Sequence, residues 1–353
     1  HVYVGATVQD LTDTWASTAL RAVGGFVWRD LRRIESLLLD LAQRHRDTLM
    51  VGRTHGQPGS PITFGWKAAS WADETRRHLD RLRQGAPRWL VGQLGGGVGT
   101  LSALGPAGLA VRARFCAELD LADPGISWLT ARDRIAEAGG VFAMIAATMA
   151  RIGTEVYELQ RPEIGELAET PTAGVVGSIT MPHKQNPERS EHLDTLARLV
   201  RANAAVLLEG MVGQHERDGR SWKAEWVALP EVCLLTGSSV ALAAELLYGL
   251  RVDTRAMAAN IPGDSASESA LALLTTRLGK HAARAALQDA LAERGARTGD
   301  EPRPLDVVLK EKGLLTDAEA AALTPDPGAA PEMVDLVVAR SRAAREEESP
   351  TWP

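Results

Sequence analysis

Apolar positions recur along this chain at steps of three and four residues over long stretches. Trp15, Ala19, Val23, Val27, Leu31, Ile34, Leu38 and Leu41 make the first series, one face of an amphipathic helix of about nine turns. Asp13 or Thr14 can cap its start, and the pattern predicts an end near Met50. A helix of that length suits a bundle drawn out along one axis. A second series runs from Pro61 through Trp66, Ala69, Trp71 and Leu79, and further helices are predicted over 106–121, 135–159, 188–211 and 225–250. Beyond Asp264 they shorten, to 267–278, 287–294 and 318–323, and the tail 346–353 reads as frayed. No stretch alternates as a strand would. The predicted fold class is all-α, with five long helices followed by short ones.

Composition supports that reading. Of 353 residues 45% are apolar and only 5% aromatic, and the dominant alanine, leucine, valine and arginine are largely material for helices. The length is ample for a large core and would ordinarily hold two or three domains. No run reaches the roughly 18 uninterrupted apolar residues of a membrane span, so no membrane partner is expected. A net charge of −6 disfavours nucleic acid, whose phosphates need concentrated positive charge. Cys116 and Cys233 are the only cysteines. They exclude a disulfide framework and a multi-cysteine metal site, and read as small buried apolar residues. The chain opens on His1 with neither an initiator methionine nor a signal peptide, which suggests a lost or cleaved amino terminus and a cytoplasmic enzyme.

The chemistry-bearing residues collect in the junctions between helices. Gly52-Arg53-Thr54-His55-Gly56-Gln57-Pro58 interrupts the first two helices, Trp128 to Arg134 is a polar junction, and Gln214 to Trp222 is a charged one. Leu94-Gly95-Gly96-Gly97-Val98-Gly99-Thr100 permits close backbone approach. As a phosphate cradle it lacks the lysine-serine/threonine pair and the preceding strand.

The most informative junction is Gly177-Ser178-Ile179-Thr180-Met181-Pro182-His183-Lys184-Gln185-Asn186-Pro187. Two prolines and a glycine make it a loop, and it offers a hydroxyl, a point charge for a carboxylate and a two-sided amide. Its pattern, G-S-x-x-M-P-x-K-x-N-P, closely resembles the signature loop of the fumarase/aspartase superfamily. Those are homotetrameric lyases that cleave a C–N or C–O bond beta to a carboxylate, most of them releasing fumarate. The resemblance covers residues 3 to about 275. It implies a remnant of an N-terminal domain at 1–13, a central long-helix bundle at 14–260 and a small helical C-terminal domain at 261–353, with the N-terminal domain largely missing. It also implies a homotetramer whose active sites are shared between subunits.

By that resemblance Ser178 is the catalytic base, while Lys184 and Asn186 grip the substrate carboxylate and favour an aci-carboxylate intermediate. A serine hydroxyl must ionise beside positive charge and backbone N–H groups to act so. His183 is a supporting residue. His55 matches the proton-donating histidine of adenylosuccinate lyase-like members, with Thr54 and Gln57 as substrate contacts. Glu191 lies 13 residues past Ser178, where the superfamily places the carboxylate that pairs with this histidine. A first-turn glutamate favoured by the helix dipole explains it equally. Thr7 matches a threonine that binds a substrate carboxylate, and Arg217 falls in a second motif, His215-Glu216-Arg217. The implied partner is a small dicarboxylate substrate, with no cofactor and no metal.

The sequence departs from the superfamily pattern at Tyr3, Val8 and Ala131, where histidine, serine and glutamine are usual. Residues 5–10, 94–100, 215–217 and 222–226 look most like 3-carboxy-cis,cis-muconate cycloisomerases, whereas His55 looks like adenylosuccinate lyase. Nitrosuccinate lyases belong to the same mixed subgroup. The expected function is therefore beta-elimination from a small 2-substituted succinate, of the nitrosuccinate or amino-succinate type, to give fumarate. Cycloisomerisation and adenylosuccinate cleavage are the alternatives. Two non-enzymatic readings stand beside them: a structural protein of the same scaffold, as in the delta-crystallins, and a helical scaffold binding through its charged 137–169 region.

Overall fold

The computed structural model describes residues 3–171, 174, 180–181, 183–295 and 303–353. Helices dominate, as the periodicity predicts. Val8–Arg44 (α1), Phe64–Trp89 (α2), Asp133–Leu159 (α4), Glu188–Glu209 (α5) and Gly219–Tyr248 (α6) are the long ones, with Gly108–Glu118 (α3) a shorter side helix. Leu31, Ile34 and Leu38 of α1 meet Trp71 and Leu79 of α2, Phe142 and Met149 of α4, Val200 of α5 and Val232 and Val240 of α6 in one continuous core. Two of these helices, α4 and α6, are apolar enough by length and composition to cross a membrane, yet 67% and 50% of their most apolar windows are buried. Part of each thus goes into the bundle, while Val227 and Leu234 of α6 stay exposed.

The expectation of no strands is corrected by an antiparallel hairpin. Leu49–Thr54 (β1) and Gln57–Thr63 (β2) pair with Met50 opposite Ile62 and Thr54 opposite Gln57. Its two-residue turn is His55-Gly56, with φ of +54° and +75°. Positive φ at both central residues is the geometry that matches strand twist in a tight hairpin. Pro58 and Pro61 hide the second strand from a propensity reading, but in a two-stranded ribbon each strand is an edge and tolerates them. A second, two-residue pairing joins Leu167–Ala168 (β3) to Arg251–Val252 (β4).

Beyond the bundle, Thr254–Ala259 (α7) leads to Ser267–Leu278 (α8), Lys280–Gly295 (α9), Leu305–Glu311 (α10) and Asp317–Ala322 (α11). Ala270, Leu274, Leu287, Val308 and Leu309 there form a separate small core. The last helix, Ala330–Glu347 (α12), returns to the large core through Val334 and Val338. The predicted fraying of 346–353 is also corrected. Glu348 is buried and accepts hydrogen bonds from Arg76 and Arg32, Arg76 and Arg345 both reach Glu35, and Trp28 Nε1 donates to the Pro350 carbonyl at 3.1 Å. The Trp352 ring lies on Gly24, where a Cβ would come within 2.7 Å of it. Only a glycine accepts that docking.

Candidate active site

The junction residues are best followed from α1. Thr7 is its N-cap, with extended backbone angles, and the Thr7 amide donates to Asp10 Oδ2 at 2.9 Å. Asp10 is 2% exposed and collects more donors than this one. Gly95 and Gly96 amides each reach it at 2.9 Å, and Gln93 Nε2 at 3.2 Å. A Cβ on Gly96 would meet the Gly5 carbonyl at 2.9 Å, so the glycines serve close approach of this loop to residues 5–7. Their N–H groups are turned onto a carboxylate of the protein itself. That removes the phosphate-cradle reading.

Thr7 Oγ1 accepts a hydrogen bond from Arg217 Nη1 at 2.7 Å. Two residues 210 positions apart in sequence, both expected to hold substrate, are thus in direct contact at one end of the bundle. Arg217 precedes Asp218, the N-cap of α6, and its guanidinium lies 5.5 Å over the Trp222 ring. Trp222 in turn meets Trp226 edge-on at 4.9 Å between centroids. The neighbouring departures from the superfamily pattern are solvent-facing, Tyr3 at 51% and Val8 at 52% exposure. They give this end an apolar rim beside one fixed positive charge.

Below the Thr7–Arg217 contact lies a buried charge cluster. Arg132 donates to Asp13 Oδ2 at 2.8 Å and Oδ1 at 3.1 Å, and through Nε to Glu225 Oε1 at 2.8 Å, with a further bond to Glu225 Oε2. The Arg132 guanidinium also sits 5.0 Å over the Trp128 ring. Burial pushes the Asp13 carboxyl up to about 6, and Glu225 adds to that, while Arg132 and the Gln9 side chain pull against it. Burial also works against the Arg132 charge, but hydrogen bonds to Glu225 and Asp13 outweigh it and hold its pKa above the usual value.

His55, with Thr54 and Gln57, stands exposed at the tip of the β1–β2 hairpin. The hairpin is anchored one residue earlier. Arg53 forks onto the buried Glu166 at 2.9 and 2.7 Å, and Asn260 Nδ2 reaches the same carboxylate at 2.9 Å. Such a bidentate guanidinium–carboxylate pair is strong and directional, so the tip is presented from a fixed base.

Ser178 lies outside the described residues, and so does most of its loop. The flanks are well defined. Glu169 is buried and accepts from the Arg189 amide at 3.1 Å, the Ser190 amide at 2.8 Å and Ser190 Oγ at 2.7 Å. It therefore caps α5 from a distant segment, placing negative charge at a helix N-terminus. Arg251 Nη2 joins the Glu169 carbonyl and Gln185 Oε1, both at 2.9 Å. Lys184 is exposed, its amide donating to the Met181 carbonyl at 2.9 Å, and Asn186 is half-buried. Glu191 is exposed in the first turn of α5. Among the described residues no ion pair joins it to His55 within one chain, so the structure unites Thr7 with Arg217 but not these two.

Asp10, Arg132 and Glu225 were not singled out from sequence, and Asp13 was read only as a possible helix cap, a place that Thr7 takes because the helix begins at Val8. Asp10 and Asp13 share one face of α1 at a three-residue step, and carboxylates in register with an apolar stripe are the signal that could have found them. The scaffold reading of the 137–169 region meets an obstacle. Glu137, Glu155, Glu166 and Glu169 are paired with Arg88, Lys67, Arg53 and Arg189 of the same chain. Both cysteines are free and buried, as expected.

Comparison with known proteins identifies the family and the fold. Residues 1–202 match the family described as lyase. The chain is 39% identical over 324 residues to N-acetyl-S-(2-succino)cysteine lyase of Enterococcus italicus, covering 91% of this chain and 70% of that one. It is 38% identical over 357 residues to nitrosuccinate lyase of Streptomyces davaonensis, covering 96% and 74%. Among solved structures, the 3-carboxy-cis,cis-muconate lactonizing enzyme from Pseudomonas putida superposes with a TM-score of 0.88 at 32% identity, covering 97% of this chain and 78% of that one.

Proposed function

The chain belongs to the lyase family of the fumarase/aspartase superfamily, and on that premise we propose that it eliminates a small group from a 2-substituted succinate to release fumarate. The observation that carries the dicarboxylate reading is the Thr7–Arg217 contact at 2.7 Å. A guanidinium already held by a threonine hydroxyl offers its remaining donors to a carboxylate in a fixed direction. The apolar rim of Tyr3 and Val8 and the Trp222–Trp226 pair favour a small leaving group, because a nucleotide brings polar atoms that would go unpartnered there.

In this reading Ser178, as the alkoxide, takes the proton from the carbon next to one carboxylate. The electron pair moves into that carboxylate, and Lys184 and Asn186 hold the resulting aci-form. The bond to the leaving group then breaks as the double bond of fumarate forms. His55, paired with Glu191, gives the departing group its proton, and Thr54 and Gln57 line the substrate. Thr7 and Arg217 hold the second carboxylate. No cofactor or metal has a role in this scheme. The protein acts as a homotetramer in the cytoplasm, with sites completed by neighbouring subunits, which brings the exposed His55 and Glu191 together across chains.

The leaving group is an amine, nitrite or, given the succinocysteine lyase relative, a thiolate. Cycloisomerisation of a carboxymuconate is the second reading, favoured by the likeness to the Pseudomonas putida enzyme. Purified protein offered nitrosuccinate, N-acetyl-S-(2-succino)cysteine, aspartate, adenylosuccinate, argininosuccinate and carboxymuconate separately tests both. The expected result is the highest kcat/KM with a small 2-substituted succinate, read as ultraviolet absorbance of fumarate. Preference for adenylosuccinate would refute the small-substrate reading, and preference for carboxymuconate would establish the second one. No turnover of any of them, read as fumarate formed or carboxymuconate consumed, would favour a structural protein.

A further inference from the structure

The two halves of the carboxylate clamp sit on helices far apart in sequence. Thr7 caps α1, and Arg217 immediately precedes the cap of α6. Their contact brings the N-terminal ends of both helices together. Asp13 lies six residues beyond the α1 cap Thr7, and Glu225 seven beyond the α6 cap Asp218, which at the helical rise places them about 9 Å and about 10.5 Å below the clamp. At that shared depth one side chain spans the gap, Arg132, with two bonds to Asp13 and two to Glu225. Its side chain is 2% exposed, and those of Asp13 and Glu225 are 3% and 6% exposed. The planar fork of a guanidinium fixes distance and angle together.

We propose that Arg132 is the positioning residue of the clamp, setting the spacing of the α1 and α6 ends and hence the Thr7–Arg217 contact that receives the substrate carboxylate. This rests on the reading of Thr7 and Arg217 given above. Arg132 touches no substrate. It acts through the two helices, so its loss is felt in binding before it is felt in chemistry.

Arg132→Ala is a poor probe, because it leaves two buried carboxylates without a countercharge and threatens the fold. Asp13→Asn and Glu225→Gln each keep the side-chain shape and weaken one end of the bridge, and either suffices. Fumarate is the binding probe, measured by calorimetry on the full chain, alongside kinetics on the preferred succinate. Each variant is expected to keep its far-ultraviolet circular dichroism and to weaken fumarate binding about tenfold. KM should rise in parallel, with kcat within about threefold of wild type. In an Arg217→Ala background the same changes should add less than about twofold, since the arm they position is gone. Full multiplication of the two effects, or a fall in kcat with fumarate binding intact, overturns the proposal. Unchanged fumarate binding in Arg217→Ala alone overturns the clamp reading itself, and the positioning proposal with it.

Discussion

His78 carries a stability prediction that can be worked through from its contacts. It is 3% exposed on α2. Arg81 Nη1 lies 3.3 Å from His78 Nδ1, and a guanidinium can only donate, so Nδ1 is the acceptor. His78 Nε2 then donates to Thr148 Oγ1 at 2.7 Å, which donates to Glu74 Oε1 at 2.6 Å, a carboxylate also bonded by Arg151. Protonating Nδ1 would turn a donor onto a donor and set two positive charges side by side. Burial, reinforced by Arg81 and Arg77 and opposed by Glu74, pushes the imidazole down to about 4. The unfolded chain takes up this proton near 6.5 while the folded one refuses it until about 4, so stability falls as pH drops through that window. By about pH 4.5 the loss is on the order of 2.5 kcal/mol. Asp13 works in the opposite sense. Held up to about 6, it binds its proton in the folded chain first and adds stability as pH falls.

A comparison that cancels Asp13 is therefore needed. His78→Gln retains an acceptor for Arg81 and a donor for Thr148 without the titration. Urea unfolding of both proteins, followed by circular dichroism from about pH 7 to about pH 4.5, should show wild type losing about 2 kcal/mol more than the variant. Equal losses would refute the hydrogen-bond assignment and the depressed pKa together.

Ser178→Ala should keep the helical fold and lose at least about a hundredfold in turnover; wild-type-like kcat removes Ser178 as the base. Mixing inactive Ser178→Ala and His55→Ala proteins through denaturation and refolding should restore part of the activity if sites are shared. No recovery in well-folded mixed oligomers counts against it. Glu169→Gln turns an amide toward the α5 amides, and should cost about 1–3 kcal/mol in unfolding experiments; an unchanged unfolding midpoint would mean that its bonds are not supporting the helix.

Much of the bundle was legible because burying one face of a helix enforces a period, and that period survives in Leu31, Ile34 and Leu38 whatever they touch. The ends were less so. α1 runs from Val8 to Arg44, not 14 to 50, because its cap and its exit are decided by Asp10 and the hairpin. The hairpin itself depends on a pair of positive φ angles at His55 and Gly56, which the apolar pattern does not record. α12 escaped because its apolar residues crowd into one short run, Met333 to Val338, before alanine and arginine take over, and its tail because the Trp352 ring needs a glycine more than three hundred residues away. The candidate site residues came from the signature string and its companions, not from periodicity. The buried Asp10 and Arg132 networks join segments distant in the chain, and beyond the three-residue step of Asp10 and Asp13 the sequence does not say which partners they meet.

The Glu169 carboxylate also bears on how such proteins diversify. By fastening residue 169 to the start of α5, it makes the signature segment a closed loop whose ends are already held. Changing the length of a loop so tethered adds little, about 0.6 kcal/mol for each doubling. Helix packing therefore sets little limit on that segment, and what holds it to its pattern is the chemistry proposed for Ser178, Lys184 and Asn186. Selection on the segment and selection on the bundle are then separable, so that descent can alter the one without unmaking the other.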